Sequence, residues 1–259
     1  MAQTHVVTRS KGVLTKRYRT WLRGEPQREW SALTTLSAAA PDLVPGPLEA
    51  GLDADPPFVR MTILPGAPLD GALSERELEA MEVALRELWS IPPDGLRQVA
   101  PASWADLAHF RYLLIARRPP ASGVAAEAHA AAAAWWDGPH VGQFATAGGE
   151  PVVGHGDPNL SNYLWDGTKV RIIDFEDAGR SDIELELANL VEHLSSRDTA
   201  WDQFVGRFRV DERRFGAARV FWASFWLTLL MPGGSSADRN PPGTLESQAT
   251  RLLTLLDLC

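Results

Sequence analysis

A single cysteine, Cys259, occupies the last of 259 positions. With no second thiol the chain cannot close an internal disulfide, which fits a reducing, cytoplasmic compartment. At a chain end this thiol is not expected to serve as a nucleophile. Positive charge is also scarce. The 25 Lys and Arg are outnumbered by 33 Asp and Glu, for a net charge of −8, which argues against a general nucleic-acid binder. That acidity suits a cationic or metal-complexed partner, although its plainer role is solubility. Long apolar runs are missing as well. The N-terminal MAQTHVVTRSKG has no signal-peptide core, and the longest apolar stretch, VFWASFWLTLL at 220–230, reads as a buried helix too short to span a bilayer. No membrane partner is expected, and there is no internal repeat. What remains is ordinary globular composition, 45% hydrophobic and 22% charged, long enough to bury a full core as one large domain or two small lobes.

Along the chain, residues 4–19 hold two β-rich runs around Ser10-Lys11-Gly12, a hairpin pattern. Pro26 suits a first helical turn, with Trp30, Leu33 and Leu36 following at helical spacing and Pro41, Pro45 and Pro47 stopping the helix. PFVRMTILPG at 57–66 is a further strand entering a Pro-Gly turn, so the first sixty-odd residues read β-β-α-β. From Ser74 the periodicity becomes helical. Ser74 and Glu77 form a capping box ahead of Leu78, Met81, Leu85 and Leu88 on one face. Helices are predicted at 103–117, 124–136, around Leu187–Leu194, within 199–231 and at 244–257, with a loop at 232–243. Asp182, Glu184, Glu186 and Glu192 are read as helix-start or solvent positions. Trp201, Trp222 and Trp226 are read as core.

The chemistry concentrates in GHGDPNLSNYLWDGTKVRIIDFED, 154–177. Asp166-Gly167 predicts a two-residue hairpin turn, with KVRIIDF as the return strand. Polar groups therefore collect before one strand and at the end of the next, where a rigid hairpin can hold oxygen ligands. Asp157 and Asn162 are five residues apart, and Asp174-Phe175 follows. An Asp and an Asn at that offset, with a separate Asp-Phe pair, is the pattern of phosphoryl-transfer sites. Such a site needs a carboxylate to orient an attacking hydroxyl and hard oxygen ligands to hold magnesium on nucleotide phosphates. It also needs a cation on the phosphates and a carboxylate to place it. Lys16 in the second strand and Glu29 early in the next helix offer that pair. Strand alternation puts Lys16 with Leu14 and Tyr18, which selects it over the neighbouring Arg17, Arg19 and Arg28.

Together, HGDPNLSN (155–162), IIDFEDAG (172–179) and the order Lys16, Glu29, ILPG (63–66) resemble the aminoglycoside phosphotransferase and choline kinase-like family. The resemblance covers roughly residues 5–195. It implies an α+β, protein-kinase-like bilobal fold, with a small β-rich nucleotide-binding lobe over 1–63 and a mainly helical lobe over 64–259 that carries the catalytic hairpin. It implies Asp157 as catalytic base, Asn162 and Asp174 as Mg²⁺ ligands, Lys16 on the phosphates of ATP or GTP, and Glu29 positioning Lys16. The strand through Arg60, Met61, Thr62 and Ile63 would offer backbone groups to the base. His155 would hold the loop. Glu176 and Asp177 could support a second ion or a cationic substrate, or simply face solvent.

The sequence departs from the family in two places. Only MAQT precedes the strand at 5–9, where family members have a further strand and a phosphate-covering loop, so that lid is expected to be truncated or to begin upstream of this start. GRSDIELELA at 179–188 puts Ile183 and Glu186 where the family has proline and aspartate. The expected activity is transfer of a nucleotide γ-phosphate to a hydroxyl of a small molecule, foremost an antibiotic or related natural product. Choline, ethanolamine, homoserine or a sugar are alternative acceptors, and a catalytically silent binding protein is the alternative of a different class. The acceptor pocket is expected from 104–117 and 190–230.

Overall fold

The computed structural model describes residues 5–98, 104–142 and 150–257, so Cys259 and the start of the predicted helix at 103 lie outside them. The chain packs as two compact units, each assembled from separated stretches. The first comprises Met1–Val99, Glu150–Asp182 and Ser195–Phe208; the second comprises Ala100–Gly149, Ile183–Leu194 and Arg209–Cys259.

In the first unit, β1 (Val6–Ser10) and β2 (Val13–Arg17) form the predicted hairpin. Lys11 and Gly12 turn it, both with positive φ. Helix α1 (Glu25–Ala39) starts after Gly24 with Pro26 in its first turn. It buries Ala32, Leu33 and Leu36 and packs on β3 (Pro47–Gly51) and β4 (Phe58–Thr62). The antiparallel sheet has the order β1-β2-β4-β3. β3 is an addition to the β-β-α-β expectation: Pro47, one of the prolines that end α1's pattern, is also the first residue of an edge strand, a position proline tolerates.

The same unit holds α2 (Glu75–Trp89), whose Ser74–Glu77 capping box forms in both directions and whose Leu78, Met81, Leu85 and Leu88 are buried. The short strand β5 (Ala67–Pro68) pairs with β7 (Tyr163–Trp165), which pairs with β8 (Val170–Ile172). β6 (Val152–Gly154) pairs with β9 (Gly179–Ser181), a strand too short and polar to show in the pattern. One expectation is corrected: register matches Trp165 to Val170, so Asp166 to Lys169 form a four-residue loop in place of a two-residue turn. The Asp166 carboxylate is the reason, since its Oδ1 accepts from the N–H groups of Thr168 and Lys169, both at 2.8 Å.

The second unit is helical. It contains α3 (Trp104–Ala116), α4 (Val124–Trp136), α5 (Ile183–Glu192), α7 (Glu212–Leu230) and α8 (Thr244–Asp257); the single-turn α6 (Asp202–Val205) belongs to the first unit. The core of the second unit gathers Leu114, Ala128, Ala132, Leu185, Ala188, Phe221, Leu227 and Leu252. Trp222 is buried as expected and donates to the Leu185 carbonyl at 3.1 Å, while Trp226 is half-buried and stacks edge-on with His193.

The acidic residues before and within α5 divide a second expectation: Asp182, Glu184 and Glu186 stand at the helix start as read from the sequence, while the solvent alternative is corrected. Asp182, Glu184, Glu186 and Glu192 are all buried. Glu184 accepts from the Asp211 N–H at 2.9 Å, and the fully buried Glu192 receives Arg219 at 2.8 Å and Arg251 at 2.9 Å. A charge can be buried when it is paired and hydrogen-bonded, and nothing in the local spacing announces those partners. Among the described residues, no helix is long and apolar enough to cross a membrane.

Candidate active site

Every residue singled out for chemistry lies in the first unit. Strand alternation decides the first of them: Lys16 in β2 and Tyr18 just after the strand are buried, whereas Arg17 between them is exposed. Helix α1 carries Glu29, 1% exposed, to the Lys16 ammonium at 2.8 Å. The ammonium also meets Glu176 at 2.7 Å and pairs with Asp174. Among the described residues, Glu29, Asp174 and Glu176 are the three acidic groups close enough together to share a cation. Here the Lys16 ammonium fills that position. Burial alone would lower the Lys16 pKa, but Glu29, Asp174, Tyr18 and Glu176 more than offset it and hold it well above the usual lysine range.

The carboxylates divide by environment. Burial raises Glu29, and the attraction of Lys16 does not cancel that effect. Glu29 also accepts from the Tyr18 hydroxyl. Burial would raise Glu176 too, yet the hydrogen bond from His5 and the Lys16 charge hold it down at about 2. His5 Nε2 lies 2.8 Å from Glu176, while its Nδ1 accepts from the Arg19 N–H. Nε2 is thus the ring nitrogen turned to the Glu176 carboxylate. His5 and Tyr18 are members of this cluster that sequence reasoning missed. Tyr18 carried a signal, since it shares the face of Lys16; His5 carried none.

The loop after β6 carries Asp157. His155, 2% exposed, is hydrogen-bonded through Nε2 to the Ile173 carbonyl at 2.8 Å, and its Nδ1 accepts from the Asp157 N–H at 3.3 Å. Through these two contacts the ring bridges the loop to the return strand. Asn162 Nδ2 donates to the Asp157 carbonyl at 3.0 Å and to its carboxylate at 3.2 Å. The Ile173 N–H donates to the Asn162 carbonyl at 2.9 Å, which sets Asp174 beside Asn162. Burial, chiefly, raises the Asp157 pKa; His155 and the Asn162 hydrogen bond oppose it, while Asp174 and Asp177 add to it. Asp174 has φ 70 in the left-handed region, an uncommon and costly conformation for a non-glycine residue that clusters at functional sites.

Gly156 explains the middle of the His-Gly-Asp run. Its φ is +83, and a Cβ there would overlap the Asp177 carbonyl and stand 2.8 Å from its carbon. Asp177 itself is held by Arg28 at 3.0 Å and Arg23 at 3.4 Å. Arg28, read from sequence only as a competing cation, also donates through Nε to the Glu176 carbonyl at 2.5 Å.

The segment expected to meet a nucleotide base divides at the sheet edge. Arg60, Met61 and Thr62 sit in β4, flanked on both sides by β2 and β3. The Thr62 N–H is donated to Gly46 at 2.9 Å, and Arg60 pairs with Glu49 at 2.5 Å. Ile63, 38% exposed, is the first residue beyond the strand.

A small antiparallel sheet with one packed helix, a helical remainder, and a loop-and-hairpin site carrying Asp157, Asn162 and Asp174 define a protein-kinase-like α+β fold. The chain belongs to the phosphotransferase enzyme family, whose model matches residues 4–220. Among solved structures it is similar to the choline kinase LicA from Streptococcus pneumoniae, with TM-score 0.67 and 11% identity over 99% of this chain and 90% of that one. It is also similar to the GDP complex of aminoglycoside 2'-phosphotransferase-IIIa, with TM-score 0.64 and 15% identity over 100% and 89%. A choline/ethanolamine kinase family protein from Mesorhizobium loti gives TM-score 0.64 and 15% identity over 100% and 85%. No curated protein sequence matches this chain.

Proposed function

We propose that this protein transfers the γ-phosphate of ATP or GTP to a hydroxyl of a small molecule. The observation that carries this reading is the convergence, within one packing unit, of the Lys16–Glu29 pair, Asp174, and the Asp157–Asn162 couple. Asp157 is the base. Its buried carboxyl has a raised pKa, which strengthens its hold on the proton that leaves the acceptor oxygen as that oxygen attacks phosphorus. Lys16 offsets charge on the phosphates, and Glu29 keeps its ammonium aimed there. His155 fixes the backbone that presents Asp157. Contact with the nucleotide base falls to the backbone from Ile63 onward, because the groups of Arg60, Met61 and Thr62 belong to the sheet.

The donor set fits Mg²⁺. An amide and a carboxylate supply hard oxygens, and the Nδ2 of Asn162 is committed to Asp157, which leaves Oδ1 as the ligand atom. Asp174, 36% exposed, is accessible to an incoming cation where its Lys16 partner, at 6%, is not. Asn162 and Asp174 would hold the ion, which when bound neutralises phosphate charge. An antibiotic or related natural product is the favoured acceptor, with choline, ethanolamine, homoserine or a sugar as the other candidates. The solved relatives include an aminoglycoside phosphotransferase and choline kinases by name, which supports both groups. A chain unable to form an internal disulfide suits a cytoplasmic enzyme.

The test is thermal stabilisation by ATP and by GTP, each with and without Mg²⁺, followed by phosphate transfer to a panel of hydroxylated antibiotics and metabolites. Stabilisation that requires Mg²⁺ and transfer to at least one acceptor are expected. Absence of nucleotide binding sinks the reading, and binding with no transfer across the panel leaves the silent binding protein in its place.

A further inference from the structure

Arg28 and Glu29 are consecutive on α1, and each reaches a different part of the candidate site. Glu29 takes the Lys16 ammonium. Arg28, 9% exposed, spends its guanidinium on the segment after Asp174: Nε goes to the Glu176 carbonyl at 2.5 Å and Nη2 to the Asp177 carboxylate at 3.0 Å, while Nη1 donates to the Arg23 carbonyl. On its other side the Asp177 backbone lies directly against Gly156, the residue before Asp157, with no room for a Cβ between them. A planar fork can hold three acceptors in fixed directions, which a lysine ammonium at the same place cannot reproduce.

We infer that Arg28 and Asp177 are positioning residues. Through them α1, and with it the Glu29–Lys16 pair, is registered against the Asp174 segment and the loop that presents Asp157. This reading rests on the proposed phosphotransferase function, because registration has consequences only if the two halves of the site must meet one metal-nucleotide complex. It gives Asp177 a different part from the ligand to a second ion or cationic substrate that its sequence position suggests. An aspartate gripped by two arginines on one side and packed against a glycine on the other is an anchor.

The experiment compares Arg28→Lys, Arg28→Met, Asp177→Asn and the double variant Arg28→Met/Asp177→Asn with the unmodified chain. Folding is monitored by circular dichroism, and affinity for Mg·ATP and Mg·GTP by calorimetry on protein shown to be folded. Arg28→Met and Asp177→Asn should each weaken nucleotide binding on the order of tenfold, as loss of an orienting partner typically does. The double variant should be no weaker than the worse single one, since the pair acts as a unit. Arg28→Lys should recover part of the loss. Folded variants that bind like the unmodified chain overturn the inference while leaving the phosphotransferase reading intact. Additive losses in the double variant also overturn the pairing. If the unmodified chain binds neither nucleotide, the phosphotransferase reading falls and this inference falls with it.

Discussion

At the scale of single residues, the site is a set of charges held where water is largely excluded, so each is tied to its neighbours. Lys16 is the clearest case. Removing it as Lys16→Met leaves Glu29, Asp174 and Glu176 facing one another around an empty centre. Breaking a buried ion cluster by deleting one partner typically costs about 3–5 kcal/mol, and denaturant titration should read a loss of that order, together with loss of nucleotide-dependent stabilisation. Glu176 makes a prediction in pH. Its carboxyl titrates near 4.5 when unfolded and at about 2 when folded. A depressed carboxylate pKa contributes stability that is present above the unfolded value and lost as pH falls toward the folded one. Stability should therefore drop between about pH 5 and pH 2, and Glu176→Gln should flatten that part of the profile; an unchanged profile would remove Glu176 as its source. Gly156 tests backbone geometry. Gly156→Ala adds a Cβ at φ +83 against the Asp177 carbonyl, and strain of this kind costs about 1–3 kcal/mol, so the unfolding free energy read by denaturant titration should fall by that order and nucleotide affinity should fall with it.

Secondary-structure elements are held in register by partners far away in sequence. Helix α5 is buried almost all round, and its last residue, Glu192, is where α7 and α8 deliver Arg219 and Arg251. Glu192→Ala strands two arginines and should destabilise the protein by about 3–5 kcal/mol, measured by urea unfolding. Helix α2 behaves differently because its support is local. Ser74 caps it through the Glu77 N–H, and the Glu77 side chain returns to the Ser74 N–H at 2.8 Å. Ser74→Ala should cost only about 1 kcal/mol and leave nucleotide binding unchanged. The contrast between the two substitutions separates propensity from tertiary pairing: the capping box is legible three residues apart, whereas the Glu192 cluster joins residues 27 and 59 positions apart.

For the molecule as a whole, two packing units are each threaded from three stretches of chain, and the candidate site sits inside one of them. Mg·ATP or Mg·GTP should then slow hydrogen exchange chiefly in 13–29, 58–66 and 155–177, the stretches that carry Lys16, Glu29, Ile63, Asp157, Asn162 and Asp174. Protection spread evenly over the helical unit instead would contradict the site as drawn.

The sequence by itself determined the protein-kinase-like α+β class, the family, the helix periodicities and the inward face of β2, because these depend on spacings of two to five residues and on short motifs. Alternation alone puts Lys16 inside and Arg17 outside. It could not show β3 and β9, whose short or proline-bearing stretches resemble turns, nor the loop of Asp166 to Lys169, where a side chain overrides the turn preference of Asp-Gly. Tertiary structure decided which charges meet. His5 reaches Glu176, Arg28 reaches Asp177 149 positions away, and Lys16 reaches Asp174 158 positions away. A pattern along the chain specifies which face a residue points to. The partner waiting there, and hence the pKa of each group in the site, follows only from how the folded elements are stacked, because burial and Coulomb attraction act through space and ignore the order of the chain.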